Sequence, residues 1–155
     1  MEITELLNPK AIKVVGKMSS KKRLFQDLGD LAMLTYGIPL GDAVDALQER
    51  ESLGPTGVGH GVALPHARIH GLSSVVGAFV RLETPMDFDA VDRQPVDLIF
   101  ALFAPANSGV DHLKALALVS RTMRDRDICA KLRANTEAAT LHAILSAGPS
   151  TSKAA

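Results

Sequence analysis

Disulfides are the first thing this sequence cannot support, because its 155 residues include one cysteine, Cys129. With no internal bridge to form, folding does not call for an oxidising compartment. Charge of one sign is missing too: 17 Lys and Arg face 17 Asp and Glu, a net charge of zero with neutral histidines. Nucleic-acid binding draws on clustered Lys and Arg, so this balance argues against it while leaving room for a small local basic patch. No apolar run approaches the ~18 residues of a membrane-spanning helix; the strongest, about residues 98–106, is short and interrupted by Pro105. The start, Met1-Glu2-Ile3-Thr4-Glu5, is acidic and has no apolar signal core. The expectation is a soluble cytoplasmic protein with no membrane insertion.

Several chemical signatures are absent as well. There is no GxSxG elbow, and the glycine-rich stretch lacks the lysine of a phosphate-binding GxxxxGK[ST] loop. Neither HExxH nor a Cys-His pattern occurs, so no zinc site is read. No cofactor and no metal are expected.

What is present is an ordinary globular composition, 46% hydrophobic and 22% charged, with a length suited to one domain. Such a chain buries roughly 68–70% of its unfolded surface, enough to be stable without metal or disulfide. Residues 11–15 read as a short strand after an Asn8-Pro9 turn. Ser19 and Ser20 can cap a helix to about Tyr36, with Leu24, Leu28, Leu31 and Ala32 on its apolar face. A second helix spans about 41–51. Residues 53–61 hold four glycines and a proline and exclude a regular helix. Strands are expected at the start of 62–68, over 75–82, and over 96–104, the last being apolar throughout enough to lie centrally with both faces covered. Helical spacing returns from Val110, at 128–132 and at 137–145. This irregular alternation predicts an α/β fold, a mixed and mainly parallel β-sheet flanked by helices on both faces in an αβα sandwich. The domain is expected over 1–147, with 148–155 as a mobile tail.

The unusual quantity is histidine, at five. His66 follows Pro65 at the end of an apolar strand and beside the glycine loop. Proline holds its own φ and biases Leu64 to extended geometry, which suits a positioned nucleophile. The same position also suits an imidazole that merely satisfies loop carbonyls. His112 opens a helix directly after the central strand, where free N–H groups favour an anion. It could donate to a phosphoryl oxygen or be a first-turn surface residue beneath a Ser108 or Asp111 cap. Arg50 ends the second helix, either as a solvated cation paired with Glu49 or Glu51 or as a guanidinium near a phosphoryl group. His60 reads as a loop side chain. His70 would pair with His66 for a metal only in a helix, which Pro65 opposes. His142 reads as structural.

The stretch 49–68, Glu-Arg-Glu-Ser-Leu-Gly-Pro-Thr-Gly-Val-Gly-His-Gly-Val-Ala-Leu-Pro-His-Ala-Arg, strongly resembles enzyme IIA domains of the phosphotransferase system, more narrowly the fructose/mannitol type. Leu82-Glu83-Thr84-Pro85-Met86-Asp87-Phe88-Asp89, the run 92–102 and Asp111-His112-Leu113 agree with it and fit the nitrogen-regulatory branch best. The resemblance covers about residues 3–146. It implies a phosphocarrier with a phosphohistidine intermediate: His66 accepts a phosphoryl group, on Nε2, from an HPr-like carrier protein. His112 would steady the phosphoryl oxygens and Arg50 would support them, while His60 departs from the family's pattern and takes no role. The physics is compatible, since an imidazole titrates near 6.5 and transfer between two imidazoles is nearly isoenergetic. The protein's work is then alignment and charge compensation.

Three functions follow from that resemblance. The first is a regulator of target proteins in nitrogen or potassium metabolism through its phosphorylation state. The second is a sugar-specific enzyme IIA handing phosphate to a IIB domain. The third is an interaction module that carries no phosphate. The absence of a fused IIB, IIC or HPr domain in these 155 residues favours the regulator, and retention of both His66 and His112 disfavours the third.

Overall fold

The computed structural model describes residues 1–148. Chain order begins with a single helical turn, α1 (Ile3–Leu6), and an edge strand, β1 (Leu7–Val15). Two helices follow, α2 (Lys21–Tyr36) and α3 (Leu40–Ser52). Then come β2 (Gly57–Gly59), β3 (Val62–Ala63), β4 (His66–Ile69), β5 (Val76–Met86) and β6 (Val96–Pro105). Three helices complete the described chain: α4 (Val110–Arg124), α5 (Arg126–Arg133) and α6 (Ala138–Ser146). The expected tail at 148–155 lies outside the described residues apart from Gly148.

The sheet runs β1-β5-β6-β3-β2, with β4 also on β6. β1–β5, β3–β6 and β4–β6 are parallel, whereas β5–β6 and β2–β3 are antiparallel. It is the mixed, mainly parallel sheet the sequence pattern implied. Helices α2 and α3 pack together against β1, β5 and β4, while α4, α5 and α6 pack in series against β6, β5 and β1. Central β6 shows why its sequence is apolar in both parities: Leu98, Ile99, Phe100, Ala101 and Phe103 are all fully buried.

Local chemistry explains most boundaries. The Ser20 hydroxyl accepts the Arg23 N–H at 3.1 Å and starts α2, and Gly37 ends it at φ 75°. Two details differ from the sequence reading. Asn8-Pro9 lies inside β1 rather than in a turn, which an edge strand tolerates because its pairing with β5 shifts register between Leu7 and Ile12. The strand expected at the start of 62–68 ends at Ala63, and His66 does not close it but opens a second strand, the two being parted at Leu64-Pro65. The break arises because Pro65 has no N–H to give; its carbonyl still takes the Leu102 N–H at 2.9 Å. α1, too short for a periodic signal, was not anticipated.

Candidate functional site

His66 opens β4, with Leu102 of β6 beside it in register. Its Nδ1 lies 3.0 Å from the Leu64 carbonyl oxygen. A carbonyl can only accept, so Nδ1 carries the hydrogen and Nε2 presents a lone pair. Arg50, in the last turn of α3, donates its Nε–H to that lone pair at 3.3 Å and an Nη1–H to the Gly54 carbonyl at 2.9 Å. One nitrogen of His66 therefore satisfies a loop carbonyl, and the other turns its lone pair toward Arg50.

His112 lies in the first turn of α4, with its ring centroid 5.6 Å from that of His66 and the planes at 69°. It is 7% exposed, so it is not a surface residue. Neither Ser108 nor Asp111 caps α4: the N-cap is Gly109 without a side-chain bond, and the Ser108 hydroxyl turns back to the Pro105 carbonyl. Burial, and then the electrostatic influence of the neighbouring His66 and Arg68, hold the His112 pKa below the usual histidine value. The neutral ring is thus favoured, and its Nε2 is buried with no hydrogen-bond partner. A buried polar atom without a partner costs about 1–3 kcal/mol, so this one marks a place where a ligand oxygen would be welcome.

The two histidines share a cleft of about 460 Å³ between α3 and α4, with Arg50 and Arg68 also on its walls. Arg68, unremarked in the sequence reading, donates to the Ala106 and Ser108 carbonyls and so ties β4 to the loop that leads into α4. At the rim, Leu53 and Leu113 are 80% and 68% exposed.

Arg50 pairs with neither neighbouring acid. Glu51 instead takes the Thr56 N–H at 3.0 Å, the Thr56 hydroxyl at 2.6 Å and the Lys21 ammonium at 2.9 Å. This latch closes the 53–56 loop, whose Gly54 carbonyl holds Arg50. Sequence offered no sign of it, since Lys21 comes 30 residues before Glu51. The remaining histidines lie elsewhere: His70 is exposed in a turn, His142 meets the Leu7 carbonyl at 3.0 Å, and His60 sits in the β2–β3 turn. Cys129 is buried, its thiol bonded to the Met123 carbonyl and its pKa raised by burial, the wrong setting for a nucleophile.

His66 thus stands beside a second, buried imidazole and an arginine. The family described as phosphoenolpyruvate-dependent sugar phosphotransferase system, EIIA 2, matches residues 5–148. The chain belongs to this family. A nitrogen regulatory protein of Bradyrhizobium diazoefficiens is 44% identical over 151 residues, 97% of this chain and 99% of that one. A fructose-specific EIIA component of Haloferax volcanii is 35% identical over 136 residues, 85% of this chain and 88% of that one. Among solved structures, the nitrogen regulatory protein IIA-Ntr of Neisseria meningitidis superposes with a TM-score of 0.85 at 38% identity, covering 92% of this chain and 98% of that one. This IIA protein has no helix among its described residues long and apolar enough to cross a membrane.

Proposed function

We propose that the protein is a phosphocarrier of the nitrogen-regulatory phosphotransferase system, charged on His66 Nε2 by an HPr-like donor and acting through the effect of that charge on its binding to target proteins in the cytoplasm. The observation that carries this is the Nδ1–H bond to Leu64, which leaves the Nε2 lone pair facing Arg50 on a ring whose centroid is 5.6 Å from that of His112.

The step balances without an added base. The His66 Nε2 lone pair attacks phosphorus in line, the donor's P–N bond breaks, and its electron pair returns to the donor imidazole. The Nδ1 proton stays on His66, donated to the Leu64 carbonyl, throughout. As the lone pair becomes a P–N bond, Arg50 loses its acceptor and turns its donors to a phosphoryl oxygen, and a His112 Nε2–H gives a second bond. Charge-assisted bonds of this kind stabilise the transferring group. Exposed Leu53 and Leu113 at the rim supply the apolar ring on which the carrier docks and from which water is kept away.

The similarity to a nitrogen regulatory protein at 44% over nearly the full chain supports the regulatory reading. The fructose-specific relative at 35% supports a second one, relay to a IIB domain. Incubation with phosphoenolpyruvate, enzyme I and an HPr-like carrier should add one acid-labile phosphoryl group, seen by mass. A His66→Ala variant that still takes it would overturn the assignment, and no labelling at all would leave an interaction module. Unchanged transfer in His112→Ala would remove that residue from the mechanism. Rapid loss of the label to a sugar-specific IIB domain would replace regulation with relay.

A further inference from the structure

A second cavity is roomier than the His66 cleft. It measures about 660 Å³ and lies between the β2–β3 turn and the α4–α5 junction. Its size falls within the roughly 300–1,000 Å³ of small-molecule sites. Its floor is apolar, formed by Val62, Leu64 and Met123, and its mouth carries His60, Arg124, Arg126 and Arg133. Three arginines therefore line one cavity.

These cations are not already spent. Arg124 and Arg126 have no ion pair or side-chain hydrogen bond among the described residues. Arg133 is anchored: its Nε and Nη2 grip the Asp97 carboxylate at 2.9 Å each, and Nη2 also gives a bond to the His60 carbonyl at 2.8 Å. Its Nη1 is left without a partner there. His60 is held in a left-handed conformation, φ 57°, by the Asp92 carboxylate, which takes its N–H at 2.9 Å. A non-glycine residue in that region is uncommon, and such strain gathers at functional sites. Gly61 beside it, at φ 80°, lets the turn close on the ion pair: a Cβ would stand 2.5 Å from Arg133 Nη2.

We propose that this cavity binds a nucleoside diphosphate, its phosphates on Arg124, Arg126 and Arg133 Nη1, and its apolar body on the Val62, Leu64 and Met123 floor. Planar guanidinium forks match phosphate oxygens in pairs, and a ligand with both a polyanionic and an apolar end uses both parts of the site. This proposal is independent of phosphoryl transfer to His66 and is tested without a donor.

The experiment is a titration of the full ¹⁵N-labelled chain with ADP at low salt, followed by amide shifts and calorimetry. Saturable shifts at 58–64 and 120–133 are expected, with adenosine and inorganic phosphate each at least about tenfold weaker, because each supplies one end only. The Arg124→Ala/Arg126→Ala double variant, both residues being exposed, should keep its fold and bind ADP at least about tenfold more weakly. His66→Ala should bind as the parent does. No saturation by millimolar ADP, shifts confined to the His66 cleft, or an affinity unchanged in the double variant would each overturn the proposal.

Discussion

Removing the Glu51 carboxylate should cost more stability than the usual helix-end substitution, and the two obvious variants should differ by a set amount. Glu51 Oε1 takes the Thr56 hydroxyl at 2.6 Å, and Oε2 takes both the Thr56 N–H at 3.0 Å and the Lys21 ammonium at 2.9 Å. Thr56 is 4% exposed, so its N–H and hydroxyl find no water when the carboxylate is gone. Each buried group left unpaired costs about 1–3 kcal/mol. Lys21 is about a quarter exposed and also lies 3.8 Å from Asp89, so its own loss is minor. Glu51→Ala should therefore destabilise by about 3–5 kcal/mol, a large share of a typical 5–15 kcal/mol. Glu51→Gln can put its oxygen where Oε2 was and its NH₂ against the Thr56 hydroxyl, which can accept. Every bond then has a partner and only charge is lost, at about 1–2 kcal/mol. Urea unfolding checks both, with a lower midpoint at constant m-value as the expected sign. A Glu51→Ala cost under about 1 kcal/mol, or no gap between the two variants, would show that the 53–56 loop is not held by this latch.

Three other outcomes follow from the same geometry. Arg50→Lys should fold normally yet slow phosphoryl transfer about 10–100-fold, since one ammonium cannot serve both Nε2 and the Gly54 carbonyl as the fork does; a stopped-flow transfer assay with parental rates would refute this. Because the folded His112 pKa lies below 6.5, the unfolded chain binds the proton more readily, so stability rises with pH through that window. The contribution is present above 6.5 and lost as pH falls through the folded value, and the parent-minus-His112→Gln difference in unfolding free energy should shrink from pH 7 to pH 5; a difference constant with pH would refute it. Phe103→Ala, at a fully buried position on β6, should cost about 3–5 kcal/mol in the same urea assay, and less than 2 would mean that the sheet repacks around it.

Legibility followed the range of the interactions. Helix α2 could be read from its own residues because its Ser20 cap, its apolar stripe and its Gly37 stop all act within a few positions. β6 could be read because a strand covered on both faces needs apolar residues in both parities. Where one residue altered a local rule, the reading slipped: Pro65 cut a continuous apolar stretch into β3 and β4, and the bulged edge of β1 absorbed Pro9. The site divided in the same manner. Pro65-His66 announced itself through backbone restriction, and the wider run of motifs pointed to the family. Arg50 had two partners close in sequence and chose neither; Glu51 turned to Lys21, and Arg68 to a loop about 40 residues on.

The opening scarcities look different in this light. One cysteine proved a buried thiol on a helix, and electrical neutrality concealed an uneven distribution, with arginines collected at one cavity mouth. Sequence alone determined the αβα layering, the Ser20 and Gly37 ends of α2 and the imidazole placed after a proline, since these depend on periodicity and on φ restrictions carried by neighbouring residues. Tertiary structure decided which nitrogen of His66 is free, that His112 is buried with its neutral form favoured, and that Arg50 faces an imidazole rather than a carboxylate. Those outcomes depend on distances between α3, β4 and α4, elements that only the packing of both helical layers onto one sheet brings within hydrogen-bond reach.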